Sequence, residues 1–300
     1  MFVTKEYEKL RFTDDFLFCK IMTSDLELCR EVLELILGIP IKEVRLPESQ
    51  KGIKLTPDGK GVRLDVYVND GNDTVYDIEM QTIHDSNLAK RSRYYQGMID
   101  LNLIEKGAEY NELKKSFVIF ICMKRPIKNE KKDWPVYTFK SVCMEDNGII
   151  LEDETTKVFL NVSSGRKDIP PNVKRFFEYL KGKAPKDNLC KRIDNSVKKA
   201  AEHVEWRNDY MTLQMKYKEI YAEGRNDGVL EGRKEGVLEG RKEGMLEGRK
   251  EGMMAGRLEG ENKLGRLILL LTKDGRVEDI SKAASDDSYR EKLYKEFRIE

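Results

Sequence analysis

The chain is poor in the residues that most often mark catalytic chemistry. It has two histidines, His84 and His203, far apart in position and context, so a histidine-based metal site is not indicated. Its five cysteines, Cys19, Cys29, Cys122, Cys143 and Cys190, are scattered, odd in number and form no CxxC pair. That excludes a recognisable zinc motif or disulfide framework and leaves packed, reduced thiols as the expectation. No apolar run is long enough to span a bilayer and no N-terminal signal pattern is present, so a cytoplasmic chain without membrane contact is expected. Neither sign of charge dominates: 55 Lys and Arg stand against 54 Asp and Glu, a net charge of +1. Nucleic-acid contact would therefore have to come from local basic patches. A length of 300 residues allows one large domain or two smaller ones. With 39% hydrophobic and 36% charged residues the chain is more polar than an average globular protein, and much of the excess lies after Lys183.

Against this background one segment stands out. Arg63-Leu64-Asp65-Val66-Tyr67-Val68 and Val75-Tyr76-Asp77-Ile78-Glu79-Met80-Gln81 read as two β-strands carrying acids. Asn69 to Asp73 between them has the composition of a hairpin loop. Alternate residues of a strand share a face, so Asp77, Glu79 and Gln81 point one way and Tyr76, Ile78 and Met80 the other. A turn centred near Asn72 places Asp65 opposite Glu79. Two readings follow from the pattern. The acids either form a hard-metal site with an adjacent amide, or lie on a solvated strand face and pair with lysine or arginine.

The rest of the first half alternates helical and strand patterns. Thr13-Asp14-Asp15 suits a helix start, continued by Phe16 to Ile21. Ser24-x-x-Glu27 has the form of a capping box before an apolar helix that Gly38 and Pro40 stop. A short strand is expected around Ile41 to Leu46. Asn87 to Lys106 reads as a helix ended by Gly107. Ser116 to Cys122 is a continuous apolar run of strand length, suited to a strand buried on both faces. Val136 to Phe139 and Val158 to Val162 are further short strands. After Pro170-Pro171, Val173 to Leu180 and Asn188 to Tyr221 read as helices, the second with Trp206, Tyr210, Met211, Leu213 and Tyr217 available for contact with the core.

A repeat follows. Gly228-Val-Leu-Glu-Gly-Arg-Lys-Glu recurs from Gly236 and, with Met for Val, from Gly244; glycine holds every fourth position from Gly224 to Gly260, ten in all. In a helix each glycine costs about 1 kcal/mol relative to alanine, roughly 10 kcal/mol together. A spacing of four also drifts about 40° per step around a helix of 3.6 residues per turn. A variable spacer and a self-associating helix with a right-handed wrap are both compatible with this pattern. Leu264 to Phe297 reads as two or three short helices with a turn at Gly275.

Arg63-Leu64-Asp65, Tyr76 to Gln81, Lys90-Arg91-Ser92-Arg93-Tyr94-Tyr95-Gln96, the strand Phe117 to Ile121 and Thr13-Asp14-Asp15-Phe16-x-Phe18 together resemble the Rpn (recombination-promoting nuclease, or putative transposase) family of the PD-(D/E)XK nuclease superfamily. The resemblance covers roughly residues 8–220, and the glycine ladder is also a habit of that family. It implies an α/β, restriction-endonuclease-like core, a mixed central sheet flanked by helices, with a helical C-terminal extension. It further implies Mg²⁺-dependent DNA cleavage, other divalent cations being possible, in recombination or mobile-element biology. By position, Asp65 matches the motif aspartate, Glu79 the (D/E) acid and Gln81 the lysine. Asp65 and Glu79 are then metal ligands, with Asp15 as a further candidate. Lys90, Arg91 and Arg93 are candidates for DNA phosphate contact. The proline of the motif is Leu64 and the lysine is Gln81, which removes a positive charge near phosphorus. A catalytically weak or inactive DNA-binding or assembly protein is therefore the alternative. The expected divisions are a nuclease-like core over residues 1–165, a helical extension packing on it over 166–222, the octad repeat over 223–262 and a small helical tail over 263–300. A homo-oligomer formed through residues 224–262 is one possible partner arrangement, beside DNA.

Overall fold

The computed structural model describes residues 5–47, 64–105, 107–127 and 132–299. Arg63 and Lys106, parts of an expected strand and helix, lie outside the described residues. The chain divides into two compact units, residues 1–216 and 217–300.

The first unit is built on a six-stranded mixed sheet of order β1-β2-β3-β4-β6-β5, comprising β1 (Val44–Arg45), β2 (Val66–Asp70), β3 (Val75–Gln81), β4 (Ser116–Cys122), β5 (Val136–Phe139) and β6 (Thr155–Asn161). β2 and β3 form the antiparallel hairpin, β3, β4 and β6 run parallel, and β5 returns antiparallel to β6. A parallel neighbour needs a crossover, and α3 (Leu88–Leu103) supplies it between β3 and β4. The apolar run 116–122 is buried at every position because it is the central strand, as its lack of alternation predicts.

One face of the sheet carries Val66, Val68, Tyr76, Ile78, Met80, Ile119, Ile121 and Leu160 into the main core, which also holds side chains of α1 (Asp15–Ser24), α2 (Leu26–Leu37), α4 (Pro171–Leu180) and α5 (Asn188–Glu202). The other face carries Val75, Val118, Phe120, Cys122 and Phe159, covered by Leu88 and Ile99 of α3. All five cysteines are free, and Cys29, Cys122 and Cys190 are buried.

Several helix boundaries differ from expectation for local reasons. Asp25, not Ser24, caps α2: its side chain accepts from Leu28 N at 2.8 Å, while Ser24 closes α1 by donating to Lys20 O at 2.6 Å. Gly38 ends α2 at φ +66°, the left-handed conformation that a residue without Cβ adopts freely. α3 stops at Leu103, before the expected Gly107. The helix expected over Asn188 to Tyr221 is two: α5 ends where His203 turns extended (φ −82°, ψ 101°), and α6 (Val204–Lys273) begins. Of the residues offered for contact with the core, Tyr210 is buried and donates its hydroxyl to Lys5 O at 2.8 Å, whereas Met211 is exposed.

α6 continues through the whole repeat, so the octads are helical. Val229, Leu230, Val237, Leu238, Met245 and Leu246 are all exposed. A Cβ built on any of the ten ladder glycines meets nothing within 4 Å. In the second unit the end of α6 packs with α7 (Val277–Ser285) and α8 (Asp287–Glu296) around Leu267, Leu271, Ala283, Leu293 and Ile299. Gly275 makes the turn at φ +72°. Among the described residues no helix is long and apolar enough to cross a membrane.

Candidate active site

Hairpin register decides which acids meet. Val66 pairs with Ile78 and Tyr67 with Asp77, so Asp65, one residue before β2, falls opposite Glu79. Two hydrogen bonds fix the pair. Asp65 N donates to Glu79 Oε1 at 2.9 Å, and Met80 N donates to Asp65 Oδ2 at 3.1 Å. Each carboxylate is thus held by the backbone of the other's strand.

The face is not solvated, although the expected pairing with arginine is present, Arg91 meeting Glu79 at 3.0 Å. Asp77, Glu79 and Gln81 are 0%, 1% and 8% exposed, because α3 lies over this face of the sheet. Burial first, and then the Glu79 charge, raises the Asp65 pKa to about 7, with Asp15 adding to the rise. Glu79 is also raised, by burial, against the opposing effects of Asp65 N–H and Arg91. Asp15, the exposed first residue of α1, is therefore close enough for its charge to be felt at Asp65.

Asp77 is the residue of this face that the sequence reading left without a role. As an ionised carboxylate, neither of its oxygens has a hydrogen-bond partner. Burial, then Glu79 and Asp65, pushes its pKa well above the usual carboxylate range, and in the protonated form it donates to Glu79. Its alternation with Glu79 was visible in the sequence; its burial was not.

The basic start of α3 splits in two. Lys90 and Arg93 are exposed, as phosphate contacts require. Arg91 instead turns into the site, donating from Nη2 to Glu79 Oε2 at 3.0 Å and from Nη1 to Gln81 Oε1 at 2.8 Å. Its Nε donates to Tyr95 OH at 2.9 Å, one helical turn on, and its guanidinium lies 5.2 Å from the Tyr95 ring centroid and 5.4 Å from that of Phe120. Tyr95 is accordingly a packing and positioning side chain. The i, i+4 spacing of Arg91 and Tyr95 is the signal that could have found the pair. Gln81 spends its other arm on Ile83 O, to which Nε2 donates at 2.9 Å.

The donor set suits a hard cation. Asp65 is half-buried and Glu79 buried, burial disfavours both ionised forms, and a divalent cation held by the two would offset their charges. Among the described residues no group of three or more His, Cys, Asp or Glu side chains is arranged to hold a metal. Two carboxylates completed by water and substrate oxygens are the usual protein share for Mg²⁺.

A mixed sheet with a parallel centre, flanked by helices and presenting paired acids at a hairpin mouth, defines an α/β fold of the PD-(D/E)XK type. The family model described as "PD-(D/E)XK nuclease family transposase" matches residues 13–225, and the chain belongs to that family. The match includes every candidate site residue, from Asp15 to Arg93. No curated protein and no solved structure matches the chain.

Proposed function

We propose that this chain is a divalent-metal-dependent DNA endonuclease that hydrolyses phosphodiester bonds in recombination or mobile-element movement, in the cytoplasm. The convergence of Asp65 and Glu79 across the hairpin, in a chain of this family, carries the reading. Asp65 and Glu79 would hold Mg²⁺ or a similar cation, with Asp15 at the rim. When bound, the cation supplies an activated water and charge compensation at phosphorus. Hydrolysis forms one phosphorus–oxygen bond from water and breaks one to a sugar oxygen. The roles left to the chain are to place the cation, orient the phosphate and keep the corner dry. Gln81 has no proton to take or give at neutral pH, and its amide serves to hold neighbouring groups in place. Lys90 and Arg93 face solvent, where they can meet flanking phosphates.

The test is nicking of supercoiled plasmid by purified protein with Mg²⁺. Wild type is expected to nick, and Asp65→Ala and Glu79→Ala are each expected to lose at least about 10³-fold, in keeping with removal of a principal source of charge stabilisation. No cleavage by wild type under any divalent cation, or cleavage by both variants at the wild-type rate, rejects the proposal. DNA retention without cleavage would instead favour the quiet binding and assembly reading.

For the repeat we infer self-association through residues 224–262. The ladder carries a helix penalty of about 10 kcal/mol. The exposed Val, Leu and Met pairs of the octads are the surface a second copy would cover. Light scattering of the full chain against a 224–262 deletion checks this: a deletion that leaves the oligomeric mass unchanged removes the inference.

A further inference from the structure

The family motif places a lysine where this chain has Gln81, so the site lacks a cation on β3. The structure places one beside it from another element. Arg91 of α3 donates to both Gln81 Oε1 and Glu79 Oε2, at 2.8 and 3.0 Å. The guanidinium is not a surface charge that happens to fall there. Tyr95 OH takes its Nε hydrogen, and the Tyr95 and Phe120 rings lie on its flank. Asp85 lies 3.6 Å from Nη1.

Gln81 is shaped for this neighbour. Its Nε2 is committed to Ile83 O, which turns Oε1, an acceptor, toward Arg91. A lysine at position 81 would bring a second positive charge against the guanidinium, whereas a glutamine holds it. Glutamine on β3 and arginine on α3 are thus a matched pair, and neither alone reproduces the motif.

Arg91 also keeps capacity for substrate. A guanidinium carries five N–H groups, and its hydrogen bonds to Tyr95, Gln81 and Glu79 use three. The side chain is 31% exposed while that of Glu79 is 2%, so Arg91 is the edge of the site that a phosphate meets first. A guanidinium presents paired donors to phosphate oxygens, which suits charge that grows there during hydrolysis.

The geometry points to Arg91 as the catalytic cation of this nuclease, taking from α3 the place of the lysine that β3 does not carry. This rests on the nuclease reading above and names the group that contacts the reacting phosphate. The experiment is a double-mutant cycle on the full chain, read as the single-turnover cleavage rate at saturating DNA and Mg²⁺. Arg91→Ala is expected to lower that rate about 100-fold or more. Gln81→Lys in the wild-type background is expected to lower it too, because the two cations oppose each other. Gln81→Lys combined with Arg91→Ala is expected to return to within about 10-fold of wild type, since charge is again present at the corner. The salt dependence of DNA binding without divalent metal is a second readout: Arg91→Ala should reduce its slope by about one.

A merely structural Arg91 gives a different pattern. An Arg91→Ala protein that cuts at the wild-type rate overturns the assignment. So does a double variant no faster than Arg91→Ala when both melt at the wild-type midpoint. If Arg91→Ala fails to fold, Arg91→Lys and Arg91→Gln decide: the lysine variant should cut at least about 10-fold faster than the glutamine variant, and equal rates overturn the assignment. A wild-type protein that cuts nothing rejects the nuclease reading and this one together, whereas a cutting wild type with an equally active Arg91→Ala rejects this one alone.

Discussion

The two units of the chain treat polar and apolar side chains in opposite ways. In residues 1–216 the acids Asp77 and Glu79 are buried under α3, and Asp77 as an ionised carboxylate has no hydrogen-bond partner. In residues 217–300 valines, leucines and methionines of the octads are exposed, and ten glycines stand in a helix that alanine would favour. The first departure falls at the candidate site and the second along the repeat. Buried acids cost stability unless something positive joins them. Contiguous exposed apolar surface marks a place where another surface can dock. Under the proposals above, the first unit takes a cation and a phosphate, and the second another copy of the chain.

The comparison breaks most sharply at single side chains. Phe18 is 0% exposed and packs edge-on against Phe12 at 5.3 Å. Phe18→Ala should cost about 3–5 kcal/mol of unfolding free energy. Leu246, 61% exposed in the repeat, should lose within about 0.5 kcal/mol on change to Ala in the dissociated chain. Urea unfolding of the two variants at low protein concentration checks the contrast. Equal effects would mean that the repeat is part of a packed core.

Next in size is the glycine ladder. A Cβ at Gly232, Gly240 or Gly248 meets nothing within 4 Å. Replacing all three by alanine should therefore stabilise the helix by about 3 kcal/mol, seen as a higher melting midpoint by far-ultraviolet circular dichroism. The same variant sharpens the assembly reading. A lower oligomeric mass identifies the glycines as points of close approach, and an unchanged mass assigns the contact to the apolar pairs.

The smallest expected effect is at Asp77. An unfolded Asp77 releases its proton near its ordinary value of 3.8, while the buried group retains it to well above that. The unfolded state is therefore favoured progressively as pH rises past that value. Asp77→Asn removes this term and keeps a donor toward Glu79. Without divalent metal it should be more stable than wild type at pH 7–8, with the difference closing near pH 4. Thermal melts across that range test the sign. A variant that is less stable at neutral pH would show Asp77 to be ionised and paired in the native state.

Much of the fold was legible because its signals are local. The run Ser116 to Cys122 has no alternation and became the central strand with unchanged bounds. The loop between Asn69 and Asp73 set a register that brought Asp65 opposite Glu79. Where two local signals competed, packing chose between them. Ser24 and Asp25 are neighbouring caps, and the Asp25 backbone, with φ −121° and ψ 86°, ends α1 and starts α2 at once. Nothing in the composition around His203 marks the break between α5 and α6. In the repeat, the sequence left a spacer and a self-associating helix both open, and the structure forms a helix through all ten glycines.

By itself the sequence determined which acids share a strand face, because side-chain alternation has a period of two and depends on no distant residue. It also determined that the chain lacks the motif lysine, since Gln81 stands in its place. Only the tertiary structure decided what surrounds those acids. α3 must cross over the sheet to join two parallel strands, and that crossover is what buries Asp77 and Glu79. The same crossover turns Arg91 from a surface charge into the partner of Gln81, a contact that depends on where a helix lands and not on any spacing along the chain.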